Sequence, residues 1–231
     1  MNLATFEASA LQVLEQAMAL GPTALASSMG QEDQAITALI AREQLPIQIF
    51  TLDTGRLPPP TLELIAQTEV RYRLRIRVLF PQTQAVEQYV AINGIDGFRH
   101  SVSQRKHCCE VRKVEPLLRA LAGKSAWVAG LRSAHGDERT QLSPLAPDAL
   151  TGLVKCAPLH DWPDAVLQEF LRVNDVPLNP LHAQGYPSLG CAPCTRAVAP
   201  GEPIRSGRWW WEQGAVRECG LHQHSSTGAS T

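Results

Sequence analysis

Five of the six cysteines in this chain fall where thiol chemistry could use them. Gly190-Cys191-Ala192-Pro193-Cys194-Thr195 sets two thiols at C-x-x-C spacing, and Cys108-Cys109 sets two side by side. Four thiolates suit either a structural zinc or a 4Fe–4S cluster. Adjacent side chains diverge along a backbone, which fits the separate corners of a cubane better than a single tetrahedral ion. The pattern therefore favours the cluster. The competing reading treats Cys108 and Cys109 as ordinary buried thiols, because free cysteine behaves as a small hydrophobe. Cys156, alone in an apolar stretch, is assigned to that class.

Cys219 differs from the rest. It lies in a polar segment, Glu218-Cys219-Gly220-Leu221-His222, with His224 beyond it and Arg205 and Arg208 upstream. Nearby cations favour the reactive thiolate, whereas Glu218 opposes it. On residue type alone, a nucleophile and an incidental surface cysteine remain equally open.

These groups need a scaffold, and the chain supplies one. With 231 residues, 44% of them hydrophobic, it can bury a sizeable core as one domain. Its 21 basic and 22 acidic residues leave a net charge of −1, which argues against nucleic acid or an anionic membrane as partner. No apolar run approaches the roughly 18–20 residues needed to span a bilayer. The N-terminus has neither a basic segment nor an apolar core, so a cytoplasmic protein with reduced thiols is expected. Oligomeric state is left open, a homo-oligomer included.

Helical periodicity covers residues 5–20, and 23–27 reads as a short buried strand. It runs through Ser27-Ser28-Met29-Gly30-Gln31-Glu32-Asp33 into a second helix. Strand, small polar turn and helix together point backbone N–H groups at a phosphate, although a plain N-capped turn has the same pattern. A strand at 47–52 ends in Asp53-Thr54-Gly55-Arg56, where open α/β sheets bind ligands. Further helices are expected at 61–72, 84–92, 108–121 and 162–174, with strands at 76–80, 126–131 and 153–157. Residues 132–139 read as a loop, and regular structure thins beyond Pro177. The alternation predicts an α/β fold, a mostly parallel sheet flanked by helices, followed by an irregular cysteine-bearing tail.

Several motifs now combine. Cys108-Cys109-x-x-Arg112-Lys113-x-Glu115-Pro116-Leu117, Gly185-Tyr186-Pro187-Ser188-x-Gly190-Cys191-x-x-Cys194, Gly207-Arg208-Trp209-Trp210-Trp211 and Glu218-Cys219-Gly220-Leu221-His222 occur in order, as does Leu52-Asp53-Thr54-Gly55-Arg56. Together they resemble the assimilatory sulfonucleotide reductases, in particular the cluster-containing adenylyl-sulfate (APS) reductases, over roughly residues 20–222. The resemblance implies an adenine-nucleotide α-hydrolase-type fold and reduction of APS to sulfite and AMP with electrons from thioredoxin or a related thiol. It implies Cys108, Cys109, Cys191 and Cys194 as ligands of one 4Fe–4S cluster per chain, and Cys219 as the nucleophile that becomes S-sulfocysteine. Ser27, Ser28 and Gly30 would cradle the nucleotide, with Leu52 and Gly130 flanking the adenine and Asp53 at the same strand end. Lys113, Arg132, Arg139, Arg205 and Arg208 would meet the phosphosulfate, Lys113 lying between cluster and substrate. The three consecutive tryptophans are assigned to packing. One domain over 1–222 is expected, its catalytic tail at about 205–222, with a disordered end at 223–231.

The chain departs from common family patterns at the Ser27–Asp33 turn and at Ser133-Ala134-His135-Gly136. Three other readings remain: a reductase of the 3′-phosphorylated nucleotide PAPS or of both nucleotides, a pyrophosphatase-type ligase, and a nucleotide-binding redox sensor.

Overall fold

The computed structural model describes residues 2–133 and 142–212. Helix α1 (Leu3–Ala19) starts where the Asn2 side chain accepts the Ala4 amide at 3.1 Å. Then β1 (Thr23–Ser27), α2 (Gln31–Arg42), β2 (Gln48–Leu52), α3 (Pro59–Tyr72), β3 (Arg77–Leu79) and α4 (Thr83–Asn93) alternate, as the periodicity predicts. The chain continues through α5 (Val102–Cys109), α6 (Glu115–Leu121), β4 (Ala126–Val128), β5 (Leu145–Pro147), β6 (Val154–Cys156) and α7 (Asp164–Val173).

The strand order is β3-β2-β1-β4-β6-β5. All pairings are parallel except β5 with β6. The antiparallel edge strand β5 is absent from the sequence expectation, because three residues ending in Pro147 carry no readable period; proline is tolerated at an edge. One core layer packs α1, α2 and α7 against the sheet through Leu14, Ile36, Leu39, Trp162 and Phe170. The other face buries Phe50, Leu117, Leu121 and Trp127. On α7 the buried set Val166, Leu167, Phe170 and Leu171 follows the helical period that marks it in the sequence.

Helix 108–121 is not uniform. Between α5 and α6, residues Glu110–Val114 form one wide π turn, closed by Glu115 N–H donating to the Glu110 carbonyl. Pro116 lacks an N–H and its ring would crowd the carbonyl four residues back, so the helix widens just before it. This wide turn carries Arg112 and Lys113.

After β1 the chain builds outward through β2 and β3, then returns to lay β4 on the other side of β1. The crevice where that order reverses, at the carboxyl ends of β1 and β4, is where open α/β sheets take ligands. Among the described residues, no helix is long and apolar enough to cross a membrane.

Candidate active site

A cleft of about 1360 Å³, its open mouth included, occupies that reversal point. Ser27, Ser28 and Gly30 line it from the β1–α2 turn, Leu52 from the end of β2, and Gly130 from the segment after β4. The turn is held by Asp33, whose carboxylate accepts the Ser28 amide and hydroxyl, each at 2.6 Å, and the Gly130 amide at 2.9 Å. Burial pushes the Asp33 carboxyl up to about 6, against the pull of those donors. Met29 stands at φ 62 and is fully buried in the core, so its side chain anchors a turn conformation that most residues avoid.

Lys113, Arg205 and Arg208 bring positive charge to the same cleft. Arg208 is 6% exposed; one guanidinium nitrogen donates to the Leu189 carbonyl at 2.5 Å, and its Nε has no hydrogen-bond partner among the described residues. Asp53 is not part of the lining and instead accepts the Gly55 amide at 2.8 Å. Arg132 also lies outside the lining: its guanidinium is held by Glu32 at 2.9 Å, Asp164 at 2.7 Å and the Trp162 carbonyl at 3.0 Å. Arg139 and Cys219 lie outside the described residues.

Beside the cleft is a second, smaller cavity of about 310 Å³. Cys108, Cys109, Cys191 and Cys194 all line it, together with Arg56, Arg105, Arg112 and Lys113. The two cysteine pairs, distant in sequence, therefore converge. The C-x-x-C loop is tied down by Ala192 N–H donating to the Arg56 carbonyl at 2.8 Å and by Thr54 Oγ1 lying 3.2 Å from Cys191 Sγ. Arg112 donates to the Thr54 carbonyl at 2.7 Å while its Nε has no partner among the described residues. Burial, with the neighbouring Cys191 and Cys109, pushes the Cys194 thiol up to about 12. Burial also raises Cys191, but Lys113, the Thr54 hydroxyl, Arg208 and Arg112 outweigh it and bring that thiol below its ordinary value. Cys156 is fully buried in the core, and burial lifts its thiol to about 12, as suits an inert packing residue.

All four thiols line one cavity. Among the described residues, no three Cys, His, Asp or Glu side chains gather closely enough to hold a single ion. Four thiols ringed by cations, with an unpaired buried Arg112 Nε, are a donor set suited to a larger anionic thiolate-bound group.

The sequence assigns no site role to Asp33, Thr54, Arg105 or His182, and it gives Trp209 a packing role. Of these, Asp33, Thr54, His182 and Trp209 line the cleft and Arg105 lines the thiol cavity. Asp33 closes the small polar turn, Thr54 follows β2 and Trp209 adjoins Arg208, all usable signals; Arg105 and His182 reach the site only through long-range folding.

Comparison with known proteins matches residues 22–197 to the phosphoadenosine phosphosulfate reductase domain. An adenosine 5′-phosphosulfate reductase of Allochromatium vinosum is 52% identical, covering 96% of this chain and 87% of that protein. The protein of that name from Burkholderia cepacia is 49% identical over 85% of this chain and 79% of its own length. Among solved structures, a phosphoadenylyl-sulfate (PAPS) reductase from Candida auris shares the fold at TM-score 0.69 and 23% identity, covering 82% of this chain and 90% of that one.

Proposed function

The chain belongs to the phosphoadenosine phosphosulfate reductase domain family, and from that membership we propose that it reduces APS to sulfite and AMP in sulfate assimilation. One observation carries the reading to this site. Among the described residues, Lys113 alone forms part of the wall of both the nucleotide-sized cleft and the four-thiol cavity.

In this reading Ser27, Ser28 and Gly30 hold the nucleotide at the β1–α2 turn, with Leu52 and Gly130 on either side of the adenine and Asp53 shaping the β2 end. Lys113, Arg205 and Arg208 face the phosphosulfate, joined by Arg139 and, if its ion pairs open, by Arg132. Cations fixed before the reaction stabilise charge as it moves onto the departing phosphate oxygen.

The Cys219 thiolate attacks the sulfur of the bound nucleotide. The S–O bond to phosphate breaks, AMP leaves with that electron pair, and the sulfonate stays on Cys219. A thiolate of thioredoxin or a related dithiol then attacks Cys219 Sγ and expels sulfite. Its second thiol closes the donor's disulfide and restores Cys219. The dithiol thus supplies both electrons. Cys108, Cys109, Cys191 and Cys194 would hold one 4Fe–4S cluster, which when bound would supply a fixed charge centre and a link between α5 and the C-x-x-C loop. The thiol chemistry requires a reducing compartment such as the cytoplasm.

The test is anaerobic purification with iron and acid-labile sulfide analysis, then addition of APS without reductant. The peptide containing Cys219 is expected to gain one SO₃ group, and Cys219→Ser is expected to bind APS yet release no sulfite. Colourless, iron-free protein that makes sulfite at full rate would sink the reading.

A further inference from the structure

Trp209 sits at φ 42, a left-handed backbone conformation that is a genuine outlier for a bulky side chain. Its surroundings hold it there. The ring is 1% exposed, its amide donates to the Cys194 carbonyl at 3.3 Å, and its carbonyl accepts the Glu212 amide at 2.9 Å. Two guanidiniums pack over the ring, Arg105 at 4.5 Å from the centroid and Arg208 at 4.7 Å. Arg105 is balanced by Glu212, which accepts its Nε at 2.7 Å and a terminal nitrogen at 3.0 Å. Among the described residues, Arg208 has no acidic partner. Its guanidinium is confined by the ring, by the Leu189 carbonyl and by Gly190, where any Cβ would overlap it. It faces a cleft that Trp209 also lines.

We infer that Trp209 is a positioning residue for substrate anion binding: its ring, itself packed against the Arg105–Glu212 pair, aims the Arg208 guanidinium at the sulfonucleotide. The inference rests on the reading of Arg208 as a phosphosulfate contact. The left-handed backbone is retained at a residue that lines the cleft, and cation–π packing over its ring limits how far Arg208 can swing. A buried guanidinium without a carboxylate is costly, and that cost is recovered when an anion arrives.

The test compares equilibrium binding of APS and of adenosine, which lacks the anion, to full-length anaerobic protein. Trp209→Leu is expected to weaken APS binding about tenfold, with adenosine affinity changed less than about twofold. Trp209→Tyr and Trp209→Phe should fall between, in the order of ring quadrupole strength, and they carry the test should the leucine variant fail to fold. Combined with Arg208→Ala, Trp209→Leu should add nothing further, since it acts through that residue. Equal loss for APS and adenosine, a flat aromatic series, or full additivity overturns the inference. If Arg208→Ala alone leaves APS affinity unchanged, the reading of Arg208 itself has failed and the inference falls with it.

Discussion

The Asp33 carboxylate accepts the Gly130 amide at 2.9 Å, joining the first turn of α2 to the segment after β4 across the mouth of the cleft. The same carboxylate holds Ser28, so one buried group fixes both walls of the cleft. The approach is possible only because Gly130 lacks a side chain.

A Cβ at Gly130 would overlap Asp33 Oδ1 and lie 2.7 Å from Glu32 Cβ. Gly130→Ala is expected to cost roughly 1–3 kcal/mol of stability through overpacking and to raise KM for APS at least about tenfold by parting the walls. Urea unfolding together with steady-state kinetics checks both; an unchanged KM would refute the clamp.

Asp33 also makes stability depend on pH. Its folded carboxyl is raised to about 6 from 3.8, so between those values the folded state binds the extra proton. Its contribution is therefore fully present at acid pH and is lost as pH rises through about 6. Subtracting an Asp33→Asn pH–stability profile from that of the parent chain should reveal a fall of roughly 2–3 kcal/mol across that window. A level difference curve would contradict the assignment.

Arg105 and Glu212 are both at least nine-tenths buried, at 1% and 5% exposure. Glu212→Ala strands the guanidinium and is expected to cost about 3–5 kcal/mol, whereas the double replacement Arg105→Met with Glu212→Leu should recover most of that loss. Denaturant midpoints for the three chains decide it: equal losses in single and double variants would mean that the pair is not the source.

Replacing Cys108, Cys109, Cys191 or Cys194 with serine should each remove bound iron and the visible absorbance from anaerobically purified protein. Cys156→Ala should keep both, losing about 1 kcal/mol for the small void left in the core. Iron retained in all four serine variants would show that these thiols do not hold the cofactor.

Kinetic comparison of the two sulfonucleotides tests substrate choice. APS is expected to exceed PAPS in kcat/KM by at least about a hundredfold, and comparable values would make this a dual-specificity enzyme.

Much of this was legible in the chain itself. Strand and helix alternation, the small polar turn at Ser27–Asp33 and the pairing of cysteines are local patterns, set by neighbouring residues whose periods and spacings survive without a fold. Comparison with relatives agrees with the family that those motifs suggested. Other features belong to the tertiary structure. The sheet order brings Cys108-Cys109 and the C-x-x-C loop to one cavity, and the wide turn before Pro116 sets Lys113 between that cavity and the cleft. Arg132 looked like an anion contact by type, yet Glu32 and Asp164 hold it, and Arg105 meets Glu212 across 107 positions. A side chain's type limits what it can bind; which partner it meets depends on strand order and helix register, and these are fixed only when distant segments pack into one core.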